Sequence, residues 1–275
     1  VLGLLALGFT YYRNSRKVER LLKTNAEKER LRSELQLASQ IQRSMMPMGH
    51  QVLDGADVFG SLVPAREMGG DLFDYGVMDG KLYFCIGDVC GKGAPAAMFM
   101  AYDHSLLWSF THGESNPARI IQSLNELASK GNVSCAFITL FYGVLDLQTG
   151  LLQYCNAGHN PPYILLDELM KLDCDSNQPI GPIEDAEFTL QSVTLTPGCT
   201  IFLYTDGLTE ANNEEGLEMG PQRTQAVLKD CVKRQLMPEE IVSTVTEAVH
   251  QFTGHAEQSD DLTMLVIRYN PDKKQ

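Results

Sequence analysis

Leu72-Phe73-Asp74-Tyr75-Gly76-Val77-Met78-Asp79-Gly80-Lys81-Leu82-Tyr83-Phe84-Cys85-Ile86 is the stretch that decides the fold. Two apolar runs with strand-like alternation flank Asp79-Gly80, a pair suited to a two-residue hairpin turn. A sheet built from such hairpins is antiparallel. Thr149-Gly150 separates residues 137–145 from residues 151–156 in the same way. Further strand candidates are residues 58–63, 163–166, 188–195, 200–204 and 262–269. Helical stretches are expected at residues 94–111, 116–130, 222–235 and 238–253, grouped in pairs between the strands. That grouping predicts an α+β fold, with two largely antiparallel sheets packed face to face and flanked by helices.

Four acidic clusters adjoin these strands: Gly69-Gly70-Asp71-Leu72-Phe73-Asp74, Gly87-Asp88-Val89, Tyr204-Thr205-Asp206-Gly207 and Asp260-Asp261-Leu262-Thr263. Carboxylates gathered at strand ends repel one another unless cations hold them together. If Asp71, Asp88, Asp206 and Asp260 meet, they supply oxygen ligands for two divalent ions, with water and the Val89 carbonyl completing the set. Oxygen-only ligation favours Mg²⁺ or Mn²⁺ over zinc. Two such ions about 4 Å apart can activate a bridging water and clamp a phosphoryl group during in-line displacement. Each cluster alone also reads as an ordinary turn or loop cap. Four together, each beside an apolar strand, carry more weight, because a carboxylate at the edge of a core is costly without a partner.

The 275 residues are 44% hydrophobic and 21% charged, which suits one sizeable core plus an appendage. Charge is unevenly spread. The first 50 residues hold 9 Lys and Arg against 4 Asp and Glu, and the remainder holds 13 against 31. A body that acidic repels phosphate backbones, which argues against nucleic acid as the main partner. The seven cysteines include no C-x-x-C pair and read as thiols in a reducing compartment.

Residues 1–12 are mostly apolar, carry Tyr11-Tyr12 at their edge and are followed by Arg13, Arg16 and Lys17. Twelve residues do not cross a bilayer, yet the pattern fits the last turns of a transmembrane helix. A buried core helix and a secretory apolar region are the competing readings. Residues 13–48 form a helical connector, rich in Lys, Glu, Arg, Leu and Gln, which Pro47 and Gly49 terminate. Leu31, Leu35, Ala38, Gln42 and Met45 fall at four- and three-residue steps, as a coiled-coil seam requires, although Thr24 and Lys28 interrupt it. The expected organisation is therefore a membrane remnant at 1–12, a connector at 13–48, a catalytic domain at 49–270 and a tail at 271–275. The catalytic domain is expected on the cytoplasmic side of a membrane that anchors the full-length chain, with the connector forming a homodimer.

Gly87-Asp88-Val89-Cys90-Gly91-Lys92-Gly93 precedes a helix as a phosphate-binding loop does. Its spacing fails, because three residues rather than four separate the first Gly from Gly-Lys and no Ser or Thr follows. No Cys has an Arg six positions downstream, which argues against a cysteine-nucleophile phosphatase. His159, in Ala157-Gly158-His159-Asn160-Pro161-Pro162, is a candidate to protonate a leaving alkoxide if it lies beside the acidic residues; otherwise it is structural.

Taken in order, these clusters, together with residues 137–146 (FITLFYGVLD), AGHNPP at 157–162, YTDGLTEA at 204–211 and DDLTML at 260–265, resemble the SpoIIE/RsbU-type serine phosphatases. These are a bacterial branch of the metal-dependent PPM protein phosphatases. The connector sequence ASQIQRSMMP at 38–47 is similar to the helix that leads into such domains. The resemblance implies an α-β-β-α sandwich preceded by a long connector helix, with two Mn²⁺ or Mg²⁺ ions at one edge. It implies Asp88 as the bridging ligand beside the Val89 carbonyl, with Asp71, Asp206 and Asp260 completing the metal site. Asp88 and Asp206 would be central to catalysis, and the resemblance leaves the roles of Asp74 and Asp261 open. The implied substrate is a phosphoserine or phosphothreonine on a STAS-domain anti-sigma factor antagonist.

Two departures from the family pattern stand out. No residue corresponds clearly to the basic group that grips phosphate in eukaryotic relatives, and Lys92 takes a position often held by His, with little expected consequence. Two rival readings are a catalytically silent module that holds a phosphoprotein, and a GGDEF-type nucleotide cyclase suggested by Gly69-Gly70-Asp71-Leu72-Phe73. A cyclase has no need of the TDG or DDLT clusters.

Overall fold

The computed structural model describes residues 2–130, 132, 136–175 and 177–273. Val1 of the expected membrane remnant, Cys135, and Lys274 and Gln275 of the expected tail lie outside them, as do the side chains of residues 2–12. Helix α1 (Leu2–Ser44) leads into strands β1 (Gly49–Leu53) and β2 (Ala56–Val63), then β3 (Leu72–Met78) and β4 (Lys81–Val89). Helices α2 (Ala94–Thr111) and α3 (Pro117–Ala128) follow, and then β5 (Ile138–Asp146) and β6 (Leu151–Ala157). Three short strands come next, β7 (Tyr163–Leu165), β8 (Leu169–Lys171) and β9 (Gln191–Thr194), before β10 (Thr200–Tyr204). Helices α4 (Gly220–Arg234) and α5 (Pro238–Thr253) and strand β11 (Leu262–Tyr269) complete the chain.

The strands form two sheets, ordered β1-β2-β11-β10-β7-β8 and β3-β4-β5-β6-β9. Every pairing is antiparallel. Asp79 and Gly80 both have positive φ, 50° and 73°, so the β3–β4 turn has the twist a tight hairpin needs. Side-chain alternation then sorts the core. In β10, Ile201 and Leu203 enter the core between the sheets, while Phe202 and Tyr204 join the core under α4 and α5. Strand β11 repeats the division, with Leu265 and Ile267 on one side and Met264 and Val266 on the other. With both faces apolar, that sheet must be covered twice, which yields the α-β-β-α layering. The sheets approach closely where Gly60 of β2 meets Phe73 of β3: a Cβ on Gly60 would lie 2.1 Å from the Phe73 ring.

Helix α1 runs unbroken from Leu2 to Ser44, and Leu22, Leu31, Leu37 and Ile41 are exposed along it. Among the described residues no helix is long and apolar enough to cross a membrane. Gln42, placed by its spacing on a coiled-coil seam, is instead buried, and its Nε2 donates to the Gly69 carbonyl at 2.7 Å. Met46 follows it into the core. The end of the connector is therefore packed against the domain beside the first acidic cluster. Strands β1 and β8 were not expected, and pairing in the 188–195 region is confined to β9.

Candidate active site

Strand register brings the acidic clusters to one end of the sandwich. In the five-stranded sheet Leu72 pairs with Gly87, which sets Asp71 beside Asp88 at the end of β4. In the other sheet Tyr204 pairs with Met264, so Asp206, just past β10, faces Asp260 and Asp261, just before β11. Two threonines join the halves. The hydroxyls of Thr205 and Thr263 donate to Asp71 Oδ2 at 2.8 and 2.5 Å, although Thr263 lies 192 residues away in sequence. The Thr205 amide also donates to the Thr263 carbonyl at 3.1 Å.

The carboxyls feel this crowding. Burial, followed by the charges of Asp88 and Asp261, holds the Asp71 carboxyl well above the usual range. Burial and then Asp206 push Asp88 up to about 7, while its hydrogen bond with Asp71 works the other way. Asp206 is raised by burial and then by Asp260. Gly70 permits a close approach here, since a Cβ there would sit 2.6 Å from the Val89 carbonyl and 3.4 Å from Asp88 Oδ1. The Val89 carbonyl and Asp88 Oδ1 thus both border the space beside Gly70.

Asp260 and Asp261 have separate tasks. Asp261 Oδ1 accepts from the Ala65 amide at 2.9 Å, and the amides of Gly70 and Asp71 also donate to Asp261, so this residue pins the loop that presents Asp71. A Cβ on Gly69 would fall 1.7 Å from Asp261 Oδ2. Asp260 pairs instead with Lys92, Nζ to Oδ2 at 2.7 Å. Among the described residues no three His, Cys, Asp or Glu side chains are arranged to enclose an ion as they stand. The oxygen-only donors, their mutual repulsion and the glycine-cleared space nonetheless fit a hard divalent cation.

Asp74 belongs elsewhere. Its Oδ2 meets His104 Nε2 at 2.5 Å and accepts from the Trp108 indole, which fastens β3 to α2. His159 is buried, and both of its ring nitrogens are engaged: Nδ1 with the Thr139 hydroxyl at 2.8 Å, and Nε2 with the Tyr204 carbonyl at 3.2 Å. Because a carbonyl only accepts, Nε2 carries the proton and Nδ1 accepts from Thr139. Thr139 pairs with Asp88, and Tyr204 lies two residues before Asp206. The imidazole therefore ties together the strand ends that carry the two aspartates.

Burial lowers His159 to about 4 from 6.5. This group charges more readily in the unfolded chain, so its contribution is complete above pH 6.5 and is lost as pH falls toward 4. That amounts to about 3 kcal/mol at full effect. Urea unfolding between pH 7 and 4.5 is expected to show the deficit of His159→Gln relative to wild type shrinking as the solution is acidified. A constant deficit would mean that folding leaves the titration of the ring unshifted.

Two residues in contact with the aspartates escaped the motif reading, Thr205 and Thr263, while Lys92 was noted there without its partner Asp260. The threonines sit within the TDG and DDLT clusters, one residue before Asp206 and two after Asp261, so their place in those motifs was the available signal.

A model of the Stage II sporulation protein E (SpoIIE) family matches residues 78–270. Protein IcfG of Synechocystis sp. is 31% identical over 98% of this chain, which spans 46% of that protein. Phosphoserine phosphatase RsbU of Bacillus subtilis is 25% identical over 87% of the chain, and the match covers 71% of RsbU. The SiaA-PP2C domain of Pseudomonas aeruginosa shares the fold, with a TM-score of 0.76 and 23% identity over 89% of this chain and 99% of that one. With its sheets, paired helices and ordered aspartate clusters, the chain belongs to the SpoIIE family.

Proposed function

We propose that this chain is a metal-dependent protein serine/threonine phosphatase, and that Asp71, Asp88, Asp206, Asp260 and the Val89 carbonyl hold two Mn²⁺ or Mg²⁺ ions. The observation that carries this reading is the meeting of Asp71, Asp88 and Asp206 at one sandwich end, with carboxyls held above their ordinary range by burial and by one another. Bound ions would supply an activated water and charge neutralisation for the phosphoryl oxygens. The chain's own part is positioning. Asp88, at the end of β4, lies between the Asp71 and Asp206 halves, and Asp71 is aimed by Thr205 and Thr263. Asp261 fixes the loop behind it. His159, with neither nitrogen free, acts in this reading as a positioning residue and not as the proton donor.

The substrate in this reading is a phosphoserine or phosphothreonine on a STAS-domain anti-sigma factor antagonist, as the kinship with RsbU suggests. The connector regulates the site as part of a membrane-anchored homodimer; its bond from Gln42 to Gly69 supports that link. The test offers the full chain phosphorylated STAS proteins with Mn²⁺ and measures phosphate release. Turnover that EDTA abolishes, with circular dichroism unchanged, is the expected result. Binding of the phosphoprotein without release would establish a silent binding module instead. Unfolding on chelation would make the ions structural.

A further inference from the structure

Lys92 lies on the turn that leaves β4, between Gly91 and Gly93, whose φ values of 101° and 76° are left-handed. Neither glycine has anything within 4 Å of where a Cβ would stand, so the turn has room around both. From it the side chain crosses to the other sheet. Its Nζ donates to the Ser259 carbonyl at 2.7 Å and pairs with Asp260 Oδ2 at 2.7 Å. The second carboxylate oxygen, Asp260 Oδ1, accepts from the Asp261 amide at 3.0 Å. Both oxygens of Asp260 therefore have protein partners, and one partner is a full positive charge. The pair is partly open to water, with side chains 41% and 32% exposed, so it can exchange without unfolding the loop.

We propose that Lys92 is a tethered counter-ion that holds Asp260 in the ion-free site and must be displaced before a divalent cation takes that carboxylate. The inference rests on the metal-centre reading above and adds an asymmetry to it. On the Asp71–Asp88 side the hydroxyls of Thr205 and Thr263 are neutral donors and offer no competing charge. On the Asp206–Asp260 side an ammonium already neutralises part of the field. A cation entering that side meets like charge a few ångströms away, whose cost falls with distance and with access of water. The two ion positions are therefore unequal, and the weaker one sets the metal concentration at which the centre is complete. In this proposal Lys92 carries weight that the expectation drawn from the sequence did not give it.

Mn²⁺ titrations of the full chain by calorimetry test this, comparing wild type with Lys92→Gln and Lys92→Arg. Lys92→Gln is expected to tighten one of two Mn²⁺ sites by about tenfold, and Lys92→Arg to stay within about twofold of wild type. A second measurement follows the amine itself. Acetic anhydride labelling with peptide mass spectrometry is expected to show Lys92 more reactive once Mn²⁺ is added, because the ammonium has left Asp260. If wild type and Lys92→Gln bind Mn²⁺ identically, or if Lys92→Gln binds more weakly, the inference is overturned while the metal reading survives. Failure of both proteins to bind Mn²⁺ overturns the metal reading and this inference with it.

Discussion

Asp88→Asn is expected to lower Mn²⁺-dependent phosphate release by about a thousandfold or more while making the ion-free protein more stable at pH 8. The two effects come from one cause. Asp88 sits between Asp71 and Asp206, and burial followed by Asp206 raises its carboxyl to about 7. A carboxyl raised in the fold above its unfolded value of 3.8 costs nothing below that value, and its charge becomes a burden as pH climbs through 7. Asparagine keeps the shape and removes the charge. The gain is expected to be on the order of 1–3 kcal/mol at pH 8 after allowance for solvent, and to vanish near pH 4. Urea unfolding in EDTA at both pH values checks the stability half, and phosphate release with Mn²⁺ checks the catalytic half. Full activity in the variant would remove Asp88 from the chemistry. Lower stability at pH 8 would mean that the ion-free site does not carry the repulsion described here.

Gly207→Ala is expected to damage both fold and activity. The added Cβ would lie 2.0 Å from the carbonyl oxygen of Asp261 and 3.0 Å from its carbonyl carbon. Both are backbone atoms at the start of β11, so no side chain can swing aside to make room. Relief requires the turn carrying Asp206 and the segment carrying Asp260 and Asp261 to separate. A loss of roughly 2–4 kcal/mol is expected, in the upper range for overpacking. Gly113→Ala is the control, because its nearest neighbour would be Phe110 O at 3.9 Å. Thermal unfolding of both variants beside wild type measures the difference. Equal melting temperatures would show that the acidic turn yields freely.

Much of this architecture could be read from alternation and turns. Asp79-Gly80 between apolar runs announced the β3–β4 hairpin, and helix α5 spans the expected residues 238–253. Strands β1 and β8 escaped because each is short, five and three residues, and carries no clear alternating pattern. Gln42 is ambiguous in the sequence for a different reason. A polar residue at seam spacing satisfies a heptad as well as it satisfies a docking contact, and only the Gly69 carbonyl across the fold decides between them.

The acidic clusters were visible as motifs, but the division of labour within them was not. Asp260 and Asp261 are adjacent and chemically identical, yet one meets Lys92 and the other the Ala65 amide. That distinction arises from β11 pairing with β2, which sets Leu262 opposite Val63. The engagement of both His159 nitrogens likewise depends on partners 20 and 45 residues away, on two different strands.

The 2.7 Å contact from Gln42 to the Gly69 carbonyl makes the end of α1 a crank on the loop that carries Asp71. A side-chain tip roughly 5–6 Å from a helix axis travels about 2 Å when the helix turns by about 20°, more than a hydrogen bond withstands. Torque applied anywhere along the 43-residue shaft would thus reach a peptide plane two residues from Asp71.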